Sequence, residues 1–478
     1  MRLRSWAALA AAALLLLSAA PALAQTPSPS PAPLDSATKA KIDRDVRAEL
    51  QAAHAAAATI AIVEDGRIAY SAGYGMRDLA RSLPADAQTR YEIGSITKQF
   101  TAAAIMQLRE AGKIDLDAKL ATYLPGAPHA GEITIRQLLT HTSGLHEYLD
   151  VVGAAQAGRP TTPEGILATI AAMPLDFAPG TKWAYSNTNY ILLGRVIEAV
   201  SKEPYERYVR EHLLAPAGMT QTATIAQEST LPDMAHGYVY RKGAIVPAPP
   251  LASSWAWSAG DLVSTVADLQ RWNAALASGK IVSPQDYTLM STPQAPTGRP
   301  NAGYGFGLMV DTFEGQPRIW HNGGTFGFDT SDQLFPAQHV NVIVFTNAAG
   351  GSSGQIATRL YNDLFPSLAA AEQLPASGED PAVTARIKAF VIPLLQGKPD
   401  RSQITDASNK ALTPEMIQSV AQQLAPLGTP AFVYKGVVER PDGPVYSYLL
   451  KYPQAVLKLT IQIDKASNKF SVFYVSPE

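Results

Sequence analysis

The position of the strand-forming runs limits this fold more than any other feature. Thr59-Ile60-Ala61-Ile62-Val63, Glu64-Asp65-Gly66 and Arg67-Ile68-Ala69-Tyr70 read together as a β-hairpin closed by an Asp-Gly turn. The next comparable runs come late: Tyr304 to Val310, Arg318-Ile319-Trp320-His321, and Val340 to Phe345. Helix and loop patterns fill the space between, and a helix from Gln355 to Phe365 follows. A chain ordered in this way must pair its early and late strands in one antiparallel sheet. The expected fold class is therefore an α/β (α+β) sandwich: an antiparallel sheet covered by helices, with an all-helical insert, plus a small C-terminal α+β module.

Apolar spacing predicts helices over Ala37 to Ala57, Ile96 to Leu108, Asn189 to Val200 and Asp261 to Leu276. Thr134 reads as a helix cap, Gly144 as a stop, and Phe177-Ala178-Pro179-Gly180 as a turn. Ser367 to Pro381 is rich in Ala, Pro, Gly and Glu and marks a boundary between residues 37–366 and 382–478. The second part predicts helices Ala382 to Leu395 and Thr413 to Leu424. Strands Ala431 to Val438, Val445 to Tyr452, Ala455 to Asp464 and Phe470 to Val475 follow. It contains no histidine, and no chemistry is assigned to it.

The N-terminus reads as an export signal over residues 1–24. Arg2 and Arg4 start it, Ala7 to Ala20 form its apolar middle, and Ala22-Leu23-Ala24 precedes a cleavage point at Gln25. Residues 25–36 are a proline-rich tether. The expected location is periplasmic or extracellular, with no stable membrane span after cleavage. Cysteine is absent from the sequence, which excludes disulfides and lipid attachment at that site. A formal net charge of −2 argues against nucleic acid as a partner, since no basic excess is present to neutralise phosphates.

The chemistry centres on Ser95-Ile96-Thr97-Lys98 at the start of a buried helix. Residues three apart share a helix face, so Lys98 reaches the Ser95 hydroxyl. In the first turn, unpaired N–H groups and the helix dipole favour negative charge on a serine oxygen. The lysine serves as a base only if its pKa falls from roughly 10.4 to near neutrality, which burial can supply. Competing signals are weaker. Ser36-Ala37-Thr38-Lys39 repeats the spacing in a solvated lead-in. Gly350-Gly351-Ser352-Ser353-Gly354 fits a nucleophile elbow, yet no histidine follows it in the chain. His141 and His146 lie five apart in a Gly-containing loop and read as backbone-bonded rather than as metal ligands. No metal and no cofactor is expected.

Three elements stand in order: Ser95-x-x-Lys98, Tyr185-Ser186-Asn187, and His321-Asn322-Gly323. With Leu138-Leu139-Thr140-His141-Thr142-Ser143-Gly144-Leu145, they resemble the serine β-lactamase and penicillin-binding-protein superfamily over about Ile60 to Asn347. The nearest branch is class C β-lactamase-like, which also holds esterases and D-amino-acid peptidases. The resemblance implies Ser95 as acylated nucleophile, Lys98 as its base partner and Tyr185 as a sharer of the proton. It implies Asn187 on the acyl side of a small-molecule, peptide or peptidoglycan-like substrate, and His321, Gly323 and Gly324 on the opposite wall. The oxyanion donors would be the backbone N–H groups of Ser95 and Gly324. Lys98 and Tyr185 are expected to titrate as a coupled pair, each lowering the other. One departure is His321, where β-lactamases carry lysine. It shifts the expected activity from β-lactams toward esters or D-amides. A non-catalytic binder of cell-wall fragments and a true class C-type β-lactamase are the alternatives.

Overall fold

The computed structural model describes residues 34–477, apart from 153, 300, 351 and 373. The signal sequence and most of the proline-rich tether lie outside the described residues. Among the described residues the main sheet has nine antiparallel strands. Its centre is Arg67–Asp78, Ala57–Glu64, Val340–Thr346, Asp329–Phe335 and Gln316–Gly324, in that order. Ile60 pairs with Ala72 on one side and Val344 on the other, so the early hairpin and the late strands share one sheet.

Both faces of the two middle strands, Ala57–Glu64 and Val340–Thr346, are covered, which explains why they read as nearly continuous apolar runs. Successive residues point to opposite faces. Ile60, Ile62, Val342 and Val344 pack on one face with Ile42, Val46, Ile356 and Leu360 of helices Ser36–Ala52 and Ser352–Leu364. Ala61, Val63, Ile343 and Phe345 face the other way, into a larger core with Phe100, Ile105 and Trp272. The Ser95 helix crosses this second core. It begins as one 3-10 turn, Gly94–Ile96, and continues as an α-helix, Thr97–Glu110. Eleven of its fourteen α-helical residues, Lys98 among them, are buried.

Several expected elements shift. The first helix ends at Ala52 because Ala57 already enters the sheet. Asp261 to Leu276 is not one helix. Leu262–Ser264 is a strand paired with Tyr91–Glu92, and the helix Val266–Ala277 starts where the Thr265 side chain accepts the Asp268 N–H. Tyr304 to Val310 is two short strands, Gly303–Tyr304 and Met309–Phe313. Gly305 and Gly307 turn the chain between them, Gly307 with φ of 72°. The insert is mainly helical and also carries short strands, including the pair Tyr238–Arg241 and Ala244–Pro247. Residues 381–477 fold as two main helices on a four-stranded antiparallel sheet, around Phe390, Tyr448, Leu450, Ile461 and Phe470.

Two glycines set how closely the late wall strand approaches the Ser95 turn. A Cβ on Gly323 would lie 1.9 Å from the Ile93 carbonyl oxygen, and one on Gly94, which has φ of 50°, would lie 2.7 Å from the Gly324 nitrogen. The Thr330 hydroxyl donates to the Ile93 carbonyl at 3.1 Å and closes the seam. Gly323→Ala is expected to cost about 1–3 kcal/mol by overpacking. Calorimetry should then show a Tm lowered by roughly 1–4 °C. An unchanged Tm would mean that the seam opens freely.

Candidate active site

Lys98 is fully buried, and its amine has three close partners. Nζ lies 2.9 Å from Ser95 Oγ, 2.7 Å from Asn187 Oδ1 and 2.7 Å from the Ala259 carbonyl oxygen. Burial pulls the Lys98 pKa down to about 7, against a smaller upward pull from Glu147. The neutral amine then has a fixed orientation. Asn187 Oδ1 and the Ala259 carbonyl only accept, so they take its two N–H groups. The lone pair is left facing the Ser95 hydroxyl. The sequence alone supplied the one-turn spacing; the two acceptors that aim the lone pair come from distant segments.

Asn187 opens the helix Asn187–Ser201, with Ser186 as the residue before it. That helix packs hard against the segment carrying Ala259. A Cβ on Gly194 would lie 2.3 Å from Ser258 Oγ. Within Ser253–Gly260, Trp257 breaks the helix with φ of 32° and ψ of −127°. Two residues later the Ala259 carbonyl meets Lys98.

Tyr185 lies across the site, half-buried, with its ring 5.0 Å from Lys98 Nζ. Burial raises its pKa well above the phenol range, against a smaller lowering by the nearby Ser95 hydroxyl. This corrects the expectation that Lys98 and Tyr185 lower one another. Desolvation lowers the amine and raises the phenol, so near neutral pH Tyr185 keeps its proton while Lys98 titrates. His321 behaves as its sequence position suggested. It is buried, its Nε2 lies 3.1 Å from the Tyr304 hydroxyl, and burial pushes its pKa down to about 3. No cation stands at that position on the wall. Gly323 and Gly324 end the same strand, which puts the Gly324 nitrogen against the Ser95 turn.

Other residues in the site had no role assigned from the sequence. His141 is buried, with φ of 58°, and its ring lies 4.4 Å from that of Tyr185. Its Nδ1 accepts from the Ser186 N–H at 3.2 Å, so it supports the backbone between Tyr185 and Asn187. Burial, with a further contribution from Lys98, holds its pKa well below the usual histidine range. His146 instead pairs with Asp176 at 3.0 Å, so the two histidines share no ligand. Glu147 accepts the Asn187 N–H. A helix N-terminus attracts a carboxylate, but nothing in the sequence spacing points from residue 187 back to 147. The rival elbow is closed off: Ser352 and Ser353 are buried at the start of a helix, and the Ser353 N–H is held by Asp329 at 2.8 Å. Ser36 is exposed on the first turn of the N-terminal helix. Among the described residues no group of three or more His, Asp or Glu side chains could hold a metal.

Known proteins resemble this chain over much of its length. The family profile described as Beta-lactamase matches residues 42–364. Over 305 residues the chain is 31% identical to the penicillin-binding protein PbpX of Bacillus subtilis (strain 168), covering 63% of this chain and 74% of that one. It is 29% identical over 325 residues to protein flp of Staphylococcus aureus (strain N315), covering 66% of this chain and 64% of that relative, just under two thirds. Among solved structures, a D-stereospecific amidohydrolase from Streptomyces sp. aligns with a TM-score of 0.61 at 30% identity, over 69% of this chain and 98% of that one. This chain belongs to the Beta-lactamase family.

Proposed function

We propose that the protein is an exported serine acyl hydrolase that works through an acyl-enzyme on an ester or amide. Ser95 is the nucleophile, Lys98 the base and Tyr185 a proton donor. The observation that carries this reading is the buried Lys98 amine, tied to two acceptors and facing Ser95 Oγ at 2.9 Å. Ser95 Oγ attacks the acyl carbonyl as its proton passes to the Lys98 lone pair. Negative charge then develops on the carbonyl oxygen, opposite the backbone N–H groups of Ser95 and Gly324. Tyr185 gives its hydroxyl proton to the departing alkoxide or amine and takes up the proton held by the Lys98 ammonium, which leaves the amine neutral and the phenol protonated for the second half. Water repeats the sequence on the Ser95 ester.

The substrate reading is a short-chain ester or a D-configured amide. The Streptomyces relative is described as a D-stereospecific amidohydrolase, which supports the amide branch. The neutral His321 supports turning away from β-lactams, because their carboxylate finds no fixed cation on that wall. Export rests on the signal pattern in residues 1–24. Among the described residues no helix is long and apolar enough to cross a membrane.

Three outcomes test this function. Ser95→Ala should lower turnover of p-nitrophenyl acetate and D-amino-acid amides by about 10³-fold or more. It should also abolish the mass shift left by a fluorophosphonate, whereas retained rates would remove Ser95 from the chemistry. The wild-type kcat/KM should rise with pH through about 7 and then level, because Lys98 acts only once deprotonated. A flat profile from pH 5 to 9 would exclude Lys98 as the base. Nitrocefin should be hydrolysed far more slowly than the best ester, and rapid nitrocefin turnover would restore the β-lactamase alternative.

A further inference from the structure

We infer that Glu147 is a positioning residue for this site: its carboxylate clamps the start of the Asn187–Ser201 helix and thereby fixes the amide that aims Lys98. The inference rests on the reading of Lys98 as base and adds a residue that the Ser95, Tyr185 and His321 motifs do not contain.

Both carboxylate oxygens are engaged. One accepts the Leu149 N–H at 3.0 Å, and the other accepts the Asn187 N–H. Asn187 is thus held from two sides, by Glu147 at its backbone and by Lys98 at its side chain. The surrounding loop is stitched to the same helix start. The Thr188 hydroxyl donates to the His146 carbonyl at 2.7 Å, and the Tyr148 N–H donates to the Thr188 hydroxyl at 3.2 Å. The loop also reaches the second acceptor of Lys98. The Tyr148 hydroxyl donates to the Trp255 carbonyl, on the Ser253–Gly260 segment that carries Ala259. Residues 146–148 therefore brace both groups that orient the amine.

The charge matters as well as the bonds. The ionisable and polar groups around Lys98 are Ser95 on its own helix, Tyr185, Asn187 and Tyr190 on or next to the facing helix, His141 and Glu147 from the loops before it, and His321 on the wall strand. His141 and His321 are held neutral by burial. Glu147 is the group in this set whose negative charge acts on Lys98, and it favours the ammonium. Its own carboxyl is pushed up by burial and pulled down by the Leu149 and Asn187 N–H groups.

Glu147→Gln tests both parts. An amide has one carbonyl oxygen for two N–H donors, so one bond is lost along with the charge. The expected result on p-nitrophenyl acetate is a kcat/KM lowered roughly 10–100-fold at the plateau. The acid limb should also move down by roughly one pH unit, because the ammonium loses its counter-charge. A lower plateau with the limb unmoved would overturn the electrostatic part, and an unchanged plateau would overturn the clamp. If the amide variant fails to fold, Glu147→Asp keeps the charge but shortens the reach. It should lower the plateau and move the limb less than one pH unit; wild-type values in both would overturn the inference. Activity retained in Ser95→Ala or Lys98→Ala would instead refute the underlying reading.

Discussion

The structure depends on one unfavourable act, the removal of a lysine amine from water. A charged amine at full burial is costly, and the group responds by giving up its proton rather than its position. That response turns a structural cost into a basic group near neutrality. It works only because Asn187 and Ala259 offer lone pairs at 2.7 Å to both N–H groups. With either acceptor missing, the amine would turn toward whatever polar atom remained, and its lone pair would lose its aim.

The rest of the fold serves that arrangement. The serine and lysine come from the first helix of the insert, the two acceptors from two later helical segments, and the opposite wall from a strand near residue 324. The wall strand belongs to the main sheet, in register with Asp329–Phe335 and through it with Val340–Thr346. The helices rest on the same sheet through the Phe100 and Trp272 core. Distances between the wall and the Ser95 turn are therefore set by rigid elements on both sides. The glycines at 94 and 323 remove the side chains that would hold the two apart.

Much of this was legible in the sequence because two signals agree. Apolar runs such as Thr59 to Val63 and Val340 to Phe345 have no polar face, so they must be covered on both sides. The order of Ser95, Lys98, Tyr185, Asn187 and His321 gave the site its members. Strand Asp329–Phe335 was not legible, because Asp-Thr-Ser-Asp-Gln reads as loop. Its buried Asp332 is instead satisfied by Asn273 and Asn341, at 2.9 and 2.8 Å, partners that the sequence does not pair. Glu147 escaped for the same reason: its partner is an N–H group forty residues away. The direction of the Tyr185 shift was also missed, since it follows from burial and burial is a property of the assembled site.

The sheet connectivity bears on when the protein becomes reactive. Strand Ala57–Glu64 has Val340–Thr346 as its inner neighbour, so the sheet stays open until almost the whole catalytic unit has been synthesised. Contacts of such long sequence separation make for slow closure. A nascent chain displaying Ser95 and Lys98 still lacks its second wall and the dry interior that neutralises the amine. Closure of the wall strand against the Ser95 turn is thus tied to synthesis of the chain through Thr346.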